Sequence, residues 1–185
     1  MEEPRRITLN APGGPELAGL LWPAPAGAPG VVIVPGLGSR KDNHADMGRA
    51  LSAAGMAALS LDLRGHGDSA GALDGGCADD VAAALDTLAS RGHARLGLRG
   101  SSMGGMLALS TAAADRRVRA VVAICPARPG ALADRIGADW PRPIDLRAAV
   151  STDDGVARGF WHATGDASVP WGHSFDLAGR CHQPV

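Results

Sequence analysis

One stretch constrains this chain more than any other: Arg95-Leu96-Gly97-Leu98-Arg99-Gly100-Ser101-Ser102-Met103-Gly104-Gly105-Met106-Leu107-Ala108-Leu109. Leu96 and Leu98 alternate with small or polar neighbours, as a strand requires. Met103, Met106, Leu107 and Ser110 then recur at helical spacing. Between the two patterns lies Gly100-Ser101-Ser102-Met103-Gly104, a G-x-S-x-G sequence. A strand that turns so sharply into a helix holds the residue at its apex in a strained conformation, and glycine two residues to either side avoids collisions between strand and helix. Centred on Ser101, the flanking positions would be Arg99 and Met103, so Ser102 alone qualifies. Ser102 is the candidate nucleophile. A five-residue match can arise by chance among 26 glycines, so the segments around it decide its meaning.

Those segments read as alternating strands and helices. Ile7–Leu9 and Leu17–Trp22 flank a dense turn signal, Asn10 to Pro15, and predict an antiparallel hairpin. Val31-Val32-Ile33-Val34 is a β-branched run of the kind buried on both faces of a parallel sheet, and it ends in Pro35-Gly36-Leu37-Gly38-Ser39. A helix is expected over 43–54, with Met47, Ala50, Leu51 and Ala54 on one face and Gly55 as its cap. A strand over 57–63 runs into the polar loop Asp62-Leu63-Arg64-Gly65-His66-Gly67-Asp68-Ser69. A second helix, over 78–90, aligns Val81, Leu85 and Leu88, and Gly92 stops it. After the serine unit, 118–125 predicts a strong strand ended by Pro126. Residues 127–156 are irregular, with a helical piece over 131–139. A short strand over 160–163 leads to Thr164-Gly165-Asp166-Ala167-Ser168-Val169-Pro170, and a last helix is expected over 172–179.

This alternation predicts an α/β fold: a mostly parallel, doubly wound sheet with an N-terminal antiparallel hairpin and helices on both faces. In such sheets the site lies at the carboxyl ends of the strands. Leu37, the Asp62–Ser69 loop, Ser102 and Asp166 all follow strands directly. The length of 185 residues favours a single domain over 1–185. The net charge of −1, without a basic stripe, argues against nucleic acid as a partner. Cys77, Cys125 and Cys181 are odd in number and form no C-x-x-C pair, which argues against a disulfide framework or zinc site. The amino terminus has no apolar h-region, and no apolar run approaches the roughly 18 residues of a membrane span. The expectation is a cytoplasmic protein. Lys41 is the single lysine among 18 basic residues, and with the abundant Ala, Gly, Arg and Pro this points to a GC-rich bacterial source.

With these segments placed, the chain resembles the α/β-hydrolase superfamily, and most closely its serine-hydrolase branch of small esterases, lysophospholipase-like and serine aminopeptidase-like enzymes. Pro35-Gly36-Leu37-Gly38 is similar to the family's oxyanion turn. Asp62 to Ser69 matches its D-x-R-G-x-G-x-S loop, Gly100 to Gly104 its nucleophile elbow, and His162 to Pro170 is similar to its H-G-x-x-D-x-x-V-P segment. The resemblance implies that Ser102 attacks a carbonyl carbon of a small-molecule acyl substrate. The main-chain N–H groups of Leu37 and Met103 would hold the oxyanion, and Asp166 would orient a histidine. It implies no cofactor and no metal. Asp62 and Arg64 are expected to brace their loop rather than touch substrate. Residues 127–156 stand where the family carries a lid insertion.

Two departures from the family accompany these matches. Pro35 stands where histidine is common, which leaves the expected Leu37 donor in place. The family's histidine follows one further strand beyond the acid, and only residues 167–185 follow Asp166. His173 falls in the first turn of the expected last helix, His182 lies near that helix's end, and His66 belongs to the Arg64 loop. His182 is a poor candidate for the base. The expectation is that the chain stops before the catalytic histidine. It then has weak or no esterase turnover, because a serine enzyme without its base keeps roughly 10³–10⁴ over water. It is also expected to self-associate through an exposed sheet edge at its last strand. A catalytically impaired fragment, or a non-enzymatic binding domain, on the same fold is the alternative. Nucleotide binding is disfavoured, since Gly36-Leu37-Gly38 lacks a third glycine and Lys41 stands in no G-x-x-x-x-G-K sequence.

Overall fold

The computed structural model describes residues 3–130 and 156–161, with backbone alone for Phe160 and Trp161. Seven strands form one sheet in the order β1-β2-β4-β3-β5-β6-β7. They are β1 (Arg5–Asn10), β2 (Glu16–Trp22), β3 (Gly30–Val34), β4 (Ala57–Leu61), β5 (Leu96–Ser101), β6 (Val118–Ile124) and β7 (Ala157–Trp161). β1 and β2 form the expected hairpin, and β2 pairs antiparallel with β4. All other pairings are parallel.

Helices lie on both faces. α1 (Ala45–Ala53), preceded by a 3₁₀ turn at Lys41–His44, covers one face, where Leu20, Trp22 and Ala58 pack with Ala45 and Leu51. α2 (Cys77–Ala89) and α3 (Met103–Ala114) cover the other, where Val32, Val34, Leu59 and Leu98 pack with Val81, Leu85, Leu88 and Met106. Adjacent residues of β2 divide between the two cores, Leu21 to one and Leu20 and Trp22 to the other, as strand alternation demands. Gly55 and Gly92, at φ 79° and 90°, close α1 and α2 in the left-handed conformation that glycine adopts without penalty. Among the described residues no helix is long and apolar enough to cross a membrane.

Four expectations change in detail. The helix over 43–54 is a 3₁₀ turn followed by α1, and its inward face is not Met47, Ala50 and Ala54, which are exposed. The packed face is Ala45, Gly48 and Leu51. A Cβ at Gly48 would run into the Trp22 ring, so the missing side chain turns that face inward. β4 ends at Leu61 rather than residue 63, because Ser69 Oγ stands between the Ala18 N–H and the Asp62 carbonyl, at 2.9 and 2.7 Å, and replaces the next bond of the β2–β4 ladder. β6 ends at Ile124 because Cys125 swings to φ 44° before Pro126. The last strand starts at Ala157 rather than residue 160, since its register on β6 runs from Ala120↔Ala157 to Ile124↔Trp161. Among the described residues β7 pairs with β6 alone and stands at the sheet edge. The helices expected over 131–139 and 172–179, and all but the ends of the 127–156 insertion, lie outside the described residues.

β3 is followed in the sheet by β4 on one side and β5 on the other, so the strand order reverses between β3 and β5. The crevice outside the carboxyl ends of strands at such a reversal is where α/β sheets bind ligands. Leu37 and Ser102 stand at those two ends.

Candidate active site

β5 passes into α3 through a single residue, Ser102. It adopts φ 52° and ψ −118°, a conformation that costs a non-glycine residue about 1–3 kcal/mol and persists only when its surroundings enforce it. They do so from both directions. The Ser102 N–H donates to the Ile124 carbonyl at 2.9 Å, and its carbonyl accepts the N–H groups of Met106 at 3.1 Å and Ala127 at 2.9 Å. The flanking glycines are required by close approach. A Cβ at Gly100 would strike the Gly104 carbonyl, and one at Gly104 would strike the carbonyls of Val34 and Pro35.

The turn after β3 lies against this elbow. A Cβ at Gly36 would come within 3.1 Å of the Ser101 carbonyl oxygen and 3.3 Å of Ser102 Cβ. The Ser39 N–H donates to the Gly36 carbonyl at 3.0 Å, with Gly38 at φ 73°. These mark a type II turn with Leu37 at its second position. Among the described residues neither the Leu37 N–H nor the Met103 N–H has an acceptor. The Met103 group belongs to the unpaired first turn of α3, where the helix dipole adds positive potential. A hydroxyl on a strained junction, beside two unpaired N–H groups, suits chemistry that develops negative charge on an oxygen.

The Asp62–Ser69 loop is a brace. Asp62, fully buried, accepts the Lys41 N–H at 2.6 Å, Lys41 Nζ at 2.8 Å and the Asp68 N–H at 2.8 Å. Its carboxylate fills the space a Cβ on Gly67 would occupy. Ser69 Oγ donates to the Asp62 carbonyl and accepts the Ala18 N–H, tying the loop to β2. Arg64 donates through Nε and Nη2 to buried Asp80 on α2, the latter at 2.7 Å, and through Nη1 to Asp74 at 2.9 Å. The bond to Asp80 chiefly holds the guanidinium pKa above its ordinary value. Each polar letter of D-x-R-G-x-G-x-S thus has a structural partner.

Nothing local in the sequence marks Lys41 as buried. It is 1% exposed, and its Nζ also reaches Asp68 Oδ2 at 2.6 Å. Burial alone would lower its pKa, but the hydrogen bonds to Asp62 and Asp68 outweigh that and raise it. Asp68 is held low by the same hydrogen bond. A single lysine in an otherwise arginine-rich chain was the available signal.

The described histidines are engaged elsewhere. His66 Nδ1 meets the Arg64 carbonyl at 3.0 Å, and His93 Nδ1 the Ala28 carbonyl at 2.9 Å. His44 accepts from Arg99 at 3.3 Å through Nδ1, and its Nε2 lies 3.3 Å from Ser39 Oγ. Burial, then the Arg99 charge, lower the His44 pKa from 6.5. Asp166, His162, His173 and His182 lie outside the described residues. Among the described residues no cluster of histidine, cysteine and carboxylates could hold a metal ion. A cavity of about 270 Å³ opens between β1, β2 and Lys41, but none of Leu37, Ser102 and Met103 lines it.

Residues 28–144, more than half of the chain, match the family described as serine aminopeptidase, S33. The chain belongs to this family of α/β-hydrolases. A curated relative, a thiohydrolase from Eupenicillium brefeldianum, is 31% identical over 132 residues, which are 66% of this chain and 42% of the relative. The chain therefore spans less than half the length of that protein. Among solved structures, the α/β-hydrolase GrgF from Penicillium sp. sh18 is 27% identical with a TM-score of 0.63, covering 68% of this chain and 46% of that one. Mouse α/β-hydrolase domain-containing protein 10 is 22% identical with a TM-score of 0.75, covering 97% and 86%, and speaks for the fold alone. The family match takes in the Leu37 turn, the Asp62–Ser69 loop and the Ser102 elbow together.

Proposed function

We propose that this chain carries a serine hydrolase that cleaves a carboxylic ester, thioester or amide of a small molecule through an acyl-enzyme on Ser102. The observation that carries the reading is Ser102 at positive φ on the β5–α3 junction, beside the N–H groups of Met103 and Leu37, which have no acceptor among the described residues. In this reading the Ser102 oxygen bonds to the carbonyl carbon while its proton passes to a base. The two N–H groups receive the oxyanion, and its collapse expels the leaving group. Water then cleaves the acyl-enzyme by the same route. Asp166 is the acid that orients the histidine. The name of the thiohydrolase relative makes thioesters the first substrates to try. Free thiols at Cys77 and Cys125 suit a reducing cytoplasm.

A second reading is a binding domain, or an impaired enzyme, on the same fold. It is favoured by the rings of His44, His66 and His93, which all bond away from Ser102. Labelling with a fluorophosphonate probe, followed by intact-mass spectrometry, separates the two. The proposal expects a single adduct that Ser102→Ala abolishes and Ser101→Ala preserves. Absence of the adduct from folded protein would favour the binding domain, and its loss in Ser101→Ala alone would move the nucleophile.

A further inference from the structure

The Asp62–Ser69 loop braces the fold, yet its most buried contacts go to one residue beside the site. Between the end of β3 at Val34 and the 3₁₀ turn that starts at Lys41 runs Pro35-Gly36-Leu37-Gly38-Ser39-Arg40. Two glycines make this stretch pliable, so the direction of the Leu37 N–H depends on how its two ends are held. The first end is seated where Gly36 meets Ser101 and Ser102. The second is Lys41, whose N–H, carbonyl and Nζ are each held by β4 or the loop after it, the Nζ lying also 3.4 Å from Asp42 of its own turn. Its N–H and Nζ go to the two oxygens of Asp62 at 2.6 and 2.8 Å, its Nζ also to Asp68 at 2.6 Å, and its carbonyl accepts Ser60 Oγ at 3.0 Å.

An apolar side chain could fill this space without the cost of desolvating two charges. It would not fix position as hydrogen bonds do, since hydrophobic contact is non-directional. The choice of lysine points the same way. Every other basic residue of the chain is arginine. A compact ammonium fits between carboxylate oxygens of two residues where a planar fork would need a different spacing.

We infer that Lys41, held by Asp62, is a positioning residue that aims the Leu37 N–H at the oxygen developing on the Ser102 adduct. The inference rests on the serine-hydrolase reading and adds to it the task of the D-x-R-G-x-G-x-S loop: that loop anchors the oxyanion turn.

A double-mutant cycle on the full chain tests this, read as the rate of Ser102-dependent fluorophosphonate labelling. Leu37→Pro removes the N–H while proline suits the second position of a type II turn, and it should slow labelling by about 10²–10³-fold. Lys41→Met should slow it by roughly 10- to 100-fold, the scale of a small misplacement of a catalytic group. In the Leu37→Pro background the same change should cost less than about twofold, because the group it positions is gone. Should Lys41→Met fail to fold, Lys41→Met with Asp62→Asn, which leaves no unpaired charge buried, replaces it in the cycle. Equal slowing in both backgrounds, or none in either, would overturn the inference and leave the serine-hydrolase reading standing. No Ser102-dependent labelling of the unmutated chain would overturn both.

Discussion

At the scale of the residue, the site is governed by what is missing from Gly100 and Gly104. Both stand where strand, helix and the end of β3 come closer than a side chain permits, and the atoms in the way are backbone carbonyls that cannot rotate aside. Gly104→Ala should therefore lower stability by at least about 3 kcal/mol in urea denaturation, the upper end of overpacking costs. Gly130→Ala, at a position where a Cβ would meet nothing within 4 Å among the described residues, should change stability by less than about 0.5 kcal/mol. Equal effects at the two positions would mean that the elbow is not packed as described. Cys77, by contrast, is a packing residue: burial pushes its thiol pKa up to about 12, far from nucleophilic use at neutral pH.

At the scale of the element, α2 is pinned to the loop after β4 through Arg64. Asp80 is fully buried and takes the Arg64 main-chain N–H as well as the guanidinium. Asp79 and Asp80 also sit in the first turn of α2, where negative charge meets the positive end of the helix dipole. Asp80→Ala would leave a buried guanidinium with only half-exposed Asp74 as an acidic partner, and should cost about 3–5 kcal/mol. The exposed pair Arg117–Asp86 offers the comparison, and Asp86→Ala should cost less than about 1 kcal/mol. A chemical-denaturation series on both variants checks the contrast. A small loss for Asp80→Ala would show that the loop holds without its anchor.

At the scale of the whole molecule, His44 links stability to pH. Its pKa in the folded protein lies below the 6.5 of the free group, through burial and then Arg99. Between those two values the unfolded chain binds more protons than the folded one, so stability falls as pH drops through 6.5 toward the folded pKa. Below the folded pKa this group takes away nothing more. Urea midpoints measured from about pH 7.5 to about pH 5 should fall less steeply in His44→Gln than in the unmutated chain. Parallel curves would mean that His44 is solvated like any surface histidine. Acid also discharges Asp68 and Asp115, whose pKa values are held low chiefly by Lys41 and Arg117, so a second loss belongs below about pH 4.

The sequence by itself determined the hairpin, the parallel core, the caps at Gly55 and Gly92, and the uniqueness of Ser102. Each follows from rules that act within a few residues: side-chain period, the left-handed freedom of glycine, the steric demand of a strand turning into a helix. The family resemblance was legible for the same reason, because its motifs are short runs whose letters are set by local geometry. Tertiary structure decided the rest. Which face of α1 turns inward depends on the Trp22 ring that meets Gly48, a residue on another element. The start of β7 depends on its register against β6, since Ala157-Arg158-Gly159 carries no strand pattern of its own. Lys41 reads as a surface lysine until Asp62, 21 residues further on, closes over it. Contacts of that range leave no periodic trace, because they are chosen by which strand ends the sheet sets side by side.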